Sequence, residues 1–324
     1  MYESEEAILL ASMGTFAGHI IPGSSLALLG LWHTINTIKA YHLKSSTNFR
    51  SSYWYPFEFH LIPSLKYLEL LFVLTFSILA IIMQILDFPF IHFTFKLNNF
   101  EHATMFLHLA IFSGFTLFSE FCSCSDVLTG VSGILATSVF SQELFLLHYH
   151  SADHVGLEGH YHWLLQIIVL VSVVACLVTV LCPDSFPAAL VLAVTVVFQG
   201  CWFVNMGFML WDHRFVPEGC VMMKNMSSSD VGNSSMHDGA VLCEGKEADF
   251  RARGLANLQF SWILGGILIV VGIFTCFKFA RRNLFGQSSS NYQQLRCRVA
   301  TSATAADGSV SMTNLKTTFP ISCC

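Results

Sequence analysis

The chain has 324 residues, of which 54% are hydrophobic and 11% are charged, and its mean hydropathy is +0.59. Soluble globular domains carry about 25% charged residues, so this composition excludes an ordinary water-soluble enzyme. The charges are also unevenly placed, because no Lys or Arg lies between Leu97 and His213 although eight acidic residues do. Histidine is the only basic residue type in that stretch, where it occurs eight times.

Seven apolar runs are long enough to cross a membrane, which takes about 20 residues for a hydrocarbon core of about 30 Å. None of them alternates between apolar and polar residues as the strands of a membrane barrel do. The sequence therefore predicts an all-α membrane protein, a seven-transmembrane helix bundle. The predicted spans lie near Gly14–Ile38, Leu65–Asp87, Phe100–Phe121, Asp126–Leu147, His160–Leu181, Phe186–Trp211 and Leu255–Phe279.

The distribution of Lys and Arg predicts the orientation of the bundle. These residues are frequent in the loop after the first span and in the segment after the last span, and short basic segments stay in the cytosol. Seven spans then leave the N-terminus luminal or extracellular and the C-terminus cytosolic. We expect an acidic N-terminal extension (1–12), a membrane domain (13–283) with a luminal loop near 213–254, and a disordered cytosolic tail (284–324).

The predicted luminal loop contains two N-glycosylation acceptor patterns, at Asn225 and Asn233. Cys220 and Cys243 flank them, and in an oxidising lumen these two residues form either a disulfide or two free thiols. Glycosylation in this loop agrees with the orientation derived from the charges. The sequence thus predicts a multi-pass glycoprotein of the secretory pathway or the plasma membrane.

In this topology most histidines and carboxylates of the stretch without Lys or Arg lie at the luminal ends of the spans. Imidazole and carboxylate ligands together favour zinc, and a bound cation would also compensate the acidic charge. Two alternatives are a hydrogen-bonded network and a pH-sensing cluster, because histidine titrates near ~6.5. His33, His42 and His60 lie on the cytosolic side or in loops and are assigned no role. The predicted metal ligands are His19, Glu101, His102, His148, His150, Glu158, His160 and His162.

Further short patterns match a family of membrane proteins. Met13–Gly23, Glu101–Met105, Leu144–His150 with Leu157–His162, and Gln199–Phe203 resemble the transmembrane protein 45 family, which shares a domain of unknown function with the transmembrane epididymal proteins. The resemblance implies a secretory-pathway or surface protein with a trafficking role, and it implies no particular reaction. Family members have a His after a Cys-Trp pair in the last span, whereas Phe260–Ile263 of this chain contains none.

Three functions compete on the sequence. The first is a non-enzymatic membrane protein whose luminal site binds a transition metal, with zinc as the first choice. In this hypothesis Tyr292 and Leu295 form a tyrosine-based sorting signal for trafficking adaptors. The second is a membrane-embedded, metal-dependent hydrolase of a lipid or amide, in which Glu101 or Glu143 is the general base. A channel or transporter ranks last, because it needs polar groups through the whole membrane depth. Membrane lipids are expected partners and nucleic acid is not.

Overall fold

The computed structural model describes residues 16–44, 48–57, 63–87, 92–93, 96–122, 125–149, 156–222 and 241–304. A 3-10 helix, Pro63–Tyr67, precedes the second helix. Two short antiparallel hairpins pair β1 (Leu86–Asp87) with β2 (His92–Phe93) and β3 (Cys220–Met222) with β4 (Val241–Cys243). The described helices are α1 (Phe16–Lys44), α2 (Leu68–Ile85), α3 (Leu97–Phe121), α4 (Ser125–Tyr149), α5 (Gly156–Leu181), α6 (Phe186–Trp211) and α7 (Lys246–Thr304).

Six of these helices are long and apolar enough to cross a membrane. They confirm the prediction of a mostly helical, multi-pass membrane protein. The candidate spans are Leu65–Ile85, Asn99–Phe121, Leu128–Tyr149, Gly156–Leu181, Phe186–Trp211 and Lys246–Ala280. Helix α1 is not among the six, although its 29 residues would extend about 43 Å. Helix α1 contains three histidines and two lysines in addition to several Ser, Thr and Asn residues, and these polar residues lower its hydropathy.

The start of α5 differs from the prediction. We expected the span to open at His160 after an irregular segment, whereas the helix begins at Gly156. Gly156 has a φ of +70°, a conformation that glycine adopts without a steric penalty. As a result Glu158, His160 and His162 all lie on the first two turns of a helix, where successive side chains are about 100° apart.

The first helix is in backbone contact with the sixth. A Cβ atom added to Gly200 on α6 would overlap the backbone nitrogen of Ala27 and lie 2.6 Å from its Cα. On α1, a Cβ atom at Gly30 would lie 2.8 Å from the carbonyl carbon of Val196, and one at Gly23 2.8 Å from the Cβ of Phe203. Small residues at matching heights on two helices let their backbones approach this closely, as is common between membrane helices.

The remaining packing follows the chain, with α2 against α3, α3 against α4, α4 against α5 and α5 against α6. The largest buried side chains, Trp202 and Tyr161, stack with ring centroids 5.2 Å apart between α5 and α6. The ring of Phe260 on α7 is nearly perpendicular to the Trp202 ring, with centroids 5.3 Å apart. Aromatic contacts between α5, α6 and α7 therefore lie at the centre of the apolar core.

The chain divides into two compact units, residues 1–272 and 273–324. In the second unit the ammonium group of Lys278 lies 5.4 Å from the centre of the Phe274 ring. We expected a disordered tail from residue 284, but the described chain is helical as far as Thr304. No proline interrupts Lys246–Thr304.

Replacement of Gly200 by Ala tests the backbone contact between α1 and α6. The added methyl group has no room, so we expect destabilisation by about 1–3 kcal/mol, the usual cost of overpacking. The measurement is the thermal unfolding midpoint of the purified full chain in detergent.

Gly265→Ala is the matched control, because a Cβ atom there meets nothing within 4 Å. Alanine is the better helix former, so the control should unfold at the same temperature as the wild type or slightly higher. Equal midpoints for the two variants would contradict the close packing.

Candidate functional site

Most residues predicted to form a luminal site lie at one end of the bundle. His19 is near the start of α1, Glu101 and His102 near the start of α3, and His148 near the end of α4. Glu158, His160 and His162 occupy the start of α5. Consecutive helices run in opposite directions, so these positions share one end of the membrane region. His150 lies outside the described residues.

His19 is a packing residue between two helices. Its ring is buried and stacks on the indole of Trp211, with centroids 4.2 Å apart. It also lies 6.1 Å from the ring of Phe203, so both of these contacts join α1 to α6. A Cβ atom on Gly207 would lie 3.2 Å from the Cβ atom of His19 and 2.9 Å from Cδ1 of Ile20, so a larger residue at 207 would crowd α1 at this point.

Three further histidines donate hydrogen bonds to uncharged acceptors. The Nδ1 atom of His148 lies 3.3 Å from Oε1 of Gln166, and the Nε2 atom of His160 lies 2.9 Å from Oδ1 of Asn257. The Nδ1 atom of His162 lies 3.1 Å from the backbone oxygen of Glu158. Two of these bonds connect different helices, α4 to α5 and α5 to α7.

Amide side chains extend this network into the apolar core. The hydroxyl group of Tyr161 donates to Oε1 of Gln259 at 2.8 Å, and Nδ2 of Asn205 donates to the same oxygen at 3.1 Å. The indole nitrogen of Trp202 donates to the backbone oxygen of Tyr161 at 3.1 Å. Polar groups at this depth find partners within the protein because lipid offers none, and the bonds connect α5, α6 and α7.

The described residues do not assemble the predicted metal site. In the parts of the chain that the structure covers, no three His, Cys, Asp or Glu side chains are grouped so as to hold a metal ion. Several predicted ligands instead contact aromatic rings, amides and backbone oxygens. For these residues the geometry agrees with the hydrogen-bonded network that the sequence left open as an alternative.

Two of the acidic residues in the stretch without Lys or Arg have basic partners from outside it. Arg214 donates from Nε and Nη2 to the carboxylate of Asp212, the shortest distance being 2.6 Å. These hydrogen bonds lower the pKa of Asp212 to about 2. The ammonium group of Lys66 lies 3.9 Å from Glu120. Compensation of the acidic residues by a metal ion, as the sequence suggested, is therefore unnecessary at these two positions.

Cys220 and Cys243 form a disulfide that closes the β3–β4 hairpin, where the two residues are directly paired. The hairpin follows α6 and leads into α7 at the same end of the bundle as the histidines. Val241 of β4 is buried in the apolar core of α5 and α6. Asn225 and Asn233 lie outside the described residues.

A second polar cluster, which the sequence did not predict, surrounds Glu69 at the start of α2. Its carboxylate accepts hydrogen bonds from Nε1 of Trp32 at 2.8 Å and from the backbone nitrogen of Tyr55 at 2.9 Å. The Nε2 atom of His33 lies 2.7 Å from its other oxygen. From the sequence His33 is assigned no role, because it lies toward the cytosolic side of the predicted bundle, away from the luminal cluster. An acidic residue and a histidine near the cytosolic ends of two predicted spans were the signal that could have indicated the pair.

The Glu69 cluster holds the loop after α1 against the helices. The hydroxyl group of Tyr55 lies 2.9 Å from Oγ1 of Thr37, and the Tyr55 ring meets the His33 ring edge to face at 5.3 Å. Burial raises the pKa of Tyr55 to about 12, with the nearby Glu69 charge as a smaller cause in the same direction. Tyr55 therefore stays protonated and keeps its bonds over the physiological pH range.

A cavity of about 210 Å³ lies between α1, α2, α3, α4 and α6. Along α6 its wall runs from Leu192 to Phe203, which is about 16 Å of helix. Most of the wall is apolar, from side chains such as Leu70, Phe76 and Phe112. The polar residues in the wall are Ser25, His33, Ser52, Tyr53, Glu69, Glu143 and Gln199.

Gln199 is a polar residue of the cavity wall with only one of its two polar atoms hydrogen-bonded among the described residues. Its side chain is fully buried, and Nε2 donates to Oγ of Ser172 at 2.9 Å. Its Oε1 atom has no hydrogen-bond partner among the described residues. Glu143, predicted as a candidate general base, lies in the same wall on α4. An unpaired buried oxygen costs about 1–3 kcal/mol, so Gln199 marks a position where a donor is missing.

The fold and these polar groups define an integral multi-pass membrane protein with a partly open cavity between its helices. Residues 129–276 match the model of a family of unknown function, DUF716. The chain is therefore similar to that family over α4, α5, α6 and the first part of α7. The matched region includes Glu143, Gln199 and the histidine and amide network, whereas the Glu69 cluster lies outside it.

Proposed function

We propose that this protein binds a lipid-like small molecule within the membrane, in the cavity between α1, α2, α3, α4 and α6. The observation that carries the proposal is the cavity itself, about 210 Å³ of space with mostly apolar walls inside a helical membrane protein. Small-molecule sites are concave, mostly apolar and provided with a few polar groups that orient the ligand. A bilayer molecule meets these conditions and has direct access to the helices.

The walls support binding rather than mere imperfect packing. The cavity is partly open at the surface of the bundle, so the apolar side chains that line it lack contacts on one side, and a bound ligand would supply those contacts. Leu70 and Val73 on α2, Leu109 on α3 and Ala193 on α6 would all contact such a ligand.

Replacement of Ala136 by Phe tests this proposal. Ala136 lines the cavity and is 7% exposed, so a phenyl ring at this position fills part of the space. We expect the purified wild type to retain a lipid after detergent washing, and the variant to retain at least about tenfold less, a loss of about 1.4 kcal/mol in binding. Native mass spectrometry measures the retained lipid.

Ile134→Phe is the matched control, because Ile134 lies on the same helix and is 60% exposed. It places the same ring outside the cavity and should leave the retained lipid unchanged. Equal retention by wild type and Ala136→Phe, with both proteins folded, would rule out the cavity as the binding site.

The topology is part of the same proposal. With α1 as a seventh span, the bundle has a luminal N-terminus and a cytosolic C-terminus, in the secretory pathway or at the cell surface. The Cys220–Cys243 disulfide supports a luminal hairpin, because disulfides persist in oxidising compartments. The transmembrane protein 45 family is the narrower kinship that we propose. A tail signal at Tyr292 and Leu295 would then meet trafficking adaptors in the cytosol.

Glycosidase digestion of the protein from secretory cells tests the luminal hairpin. We expect the wild type to migrate faster after removal of N-linked glycans, because Asn225 and Asn233 face the lumen in this topology. The double variant Asn225→Gln/Asn233→Gln should migrate at the deglycosylated position without treatment. A wild type whose migration does not change would remove the support that glycosylation gives to the orientation.

A luminal zinc site is the second candidate function. One observation favours it: Glu158 and His162 are both buried, at 5% and 8% exposure, and lie one turn apart on α5. Zinc accepts carboxylate and imidazole ligands together. The alternative that also needs bound zinc is a membrane-embedded hydrolase acting on a lipid or amide, with Glu101 or Glu143 as general base, and a turnover assay on a lipid extract separates binding from hydrolysis.

Elemental analysis of the purified full chain decides the zinc proposal. The proposal expects about one zinc per chain, lost in the triple variant His148→Ala/His160→Ala/His162→Ala. His213→Ala is the control, since the predicted ligand set does not contain that residue. Zinc at background level in the wild type would end both the metal site and the hydrolase.

A further inference from the structure

We infer that the cavity ligand is a single-chain lipid with a basic amine headgroup, and that its ammonium group binds the carboxyl group of Glu143. The inference rests on the proposed function, since it names the chemical class of the molecule that occupies the same cavity. Three observations carry it. Glu143 has no partner among the described residues, the described wall contains no Lys or Arg, and phenylalanine rings line much of the space.

Glu143 is the ionisable side chain of the wall that lacks a partner. It has no hydrogen bond and no ion pair with any described residue, and it is partly exposed. Gln199 differs, because its unpaired Oε1 atom is sealed among protein atoms and cannot receive a ligand. An unpartnered carboxyl group in an apolar wall is costly, so a ligand that pairs with it gains binding free energy from that contact.

The opposite end of the cavity already has its polar groups satisfied. Glu69, at the start of α2, accepts hydrogen bonds from Trp32 and from the backbone nitrogen of Tyr55 and is bonded to His33. His33 is the only basic residue among the described residues of the wall, and this bond keeps it at the Glu69 end. The headgroup of a ligand therefore finds a free polar partner at Glu143.

The charges of the wall select a cationic headgroup. No Lys or Arg occurs among the described residues that line the cavity, so a phosphate or carboxylate group would meet no cation there. This also disfavours an aminophospholipid, whose phosphate would enter with the amine. An ammonium group pairs with the Glu143 carboxylate, and such charge-assisted hydrogen bonds are about twice as strong as those between neutral groups. A hydroxyl or carbonyl headgroup can bond to the carboxyl group but leaves an acidic charge uncompensated.

Aromatic rings in the wall favour a cation as well. The face of an aromatic ring is electronegative and attracts an ammonium group, whereas a neutral headgroup gains no comparable attraction. Phe140 lies three residues before Glu143 on α4, where side chains are neighbours on the helix surface, and both residues line the cavity. The phenylalanines of the wall are Phe72, Phe76, Phe106, Phe112, Phe140 and Phe203.

The course of α4 places the alkyl chain. Ala136, Val139, Phe140 and Glu143 all line the cavity and follow the spacing of one helix face, with Glu143 last. Glu143 lies six residues, or about 9 Å, before the helix ends at Tyr149. An ammonium group at Glu143 therefore directs the chain along this apolar face toward the opposite end of the cavity, through a space whose α6 wall is about 16 Å long.

Two photoreactive probes test the inference on the purified full chain in phosphatidylcholine nanodiscs. One is a long-chain primary amine with a diazirine in the chain, and the other is the alcohol with the same chain. Mass spectrometry locates the labelled residues, and labelling of the cavity is divided by labelling of exposed residues on α7 to correct for partitioning into the bilayer. We expect this ratio to be about tenfold higher for the amine, the effect of a charge-assisted hydrogen bond compared with a neutral one.

Glu143→Gln keeps the size and the hydrogen-bonding groups of the side chain but removes its charge. It should abolish the preference for the amine while labelling by the alcohol continues. Asp184→Asn is the matched control, because it removes the same charge from an exposed residue between α5 and α6 that is absent from the cavity wall. It should keep the wild-type preference. The wild-type comparison of the two probes stands even if Glu143→Gln does not fold.

The outcomes separate the two proposals. Equal ratios for amine and alcohol in the wild type would overturn the amine inference and leave lipid binding in place. Failure of both probes to label the cavity, or labelling that Ala136→Phe does not reduce, would overturn lipid binding itself. A preference for the amine that persists in folded Glu143→Gln, or that Asp184→Asn abolishes equally, would overturn the assignment to Glu143.

Discussion

The backbone contact between α1 and α6 is the constraint on which the rest of the membrane region depends. Gly23, Gly30 and Gly200 let two helices that are far apart in the chain approach each other closely. A side chain at any of these three positions would overlap the facing helix. This contact places His33 of α1 and Gln199 of α6 in the wall of one cavity. Residues that are 166 positions apart in the sequence (33 to 199) thereby face the same space.

Polar groups in this protein follow the rule that a membrane interior provides no solvent partner. At one end of the bundle His160 and Tyr161 form hydrogen bonds with amide side chains of α7. At the other end the Glu69 carboxylate accepts hydrogen bonds from three residues. These satisfied groups hold helices together and need no ligand. In the cavity wall Gln199 and Glu143 are the exceptions among the described residues, because only one side of the Gln199 amide has a partner and Glu143 has no hydrogen bond, and a functional site is the place where such exceptions are expected.

The helical spans could be predicted because the hydrophobic length needed to cross a bilayer is a local property of the chain. The hydrogen-bond and ion-pair partners of the polar side chains could not be predicted in the same way, because they come from other parts of the chain. Asp212 is neutralised by Arg214, which follows directly outside the stretch without basic residues, and Glu69 pairs with His33 from another span. Counting charges along the chain suggested a metal ion, whereas distances in space show amides, backbone groups and cations as partners for several of these residues.

Composition and hydrophobic pattern alone determined that the chain is a helical, multi-pass membrane protein, because burial in lipid demands about 20 apolar residues per span wherever they fold. Tertiary structure decided which polar side chains find hydrogen-bond partners and which do not. Whether a polar side chain finds a partner depends on the direction in which it leaves its helix and on the close approach of α1 to α6. The hydropathy of the sequence contains neither. The cavity and the unpaired oxygen of Gln199 therefore emerge only from the packed helices.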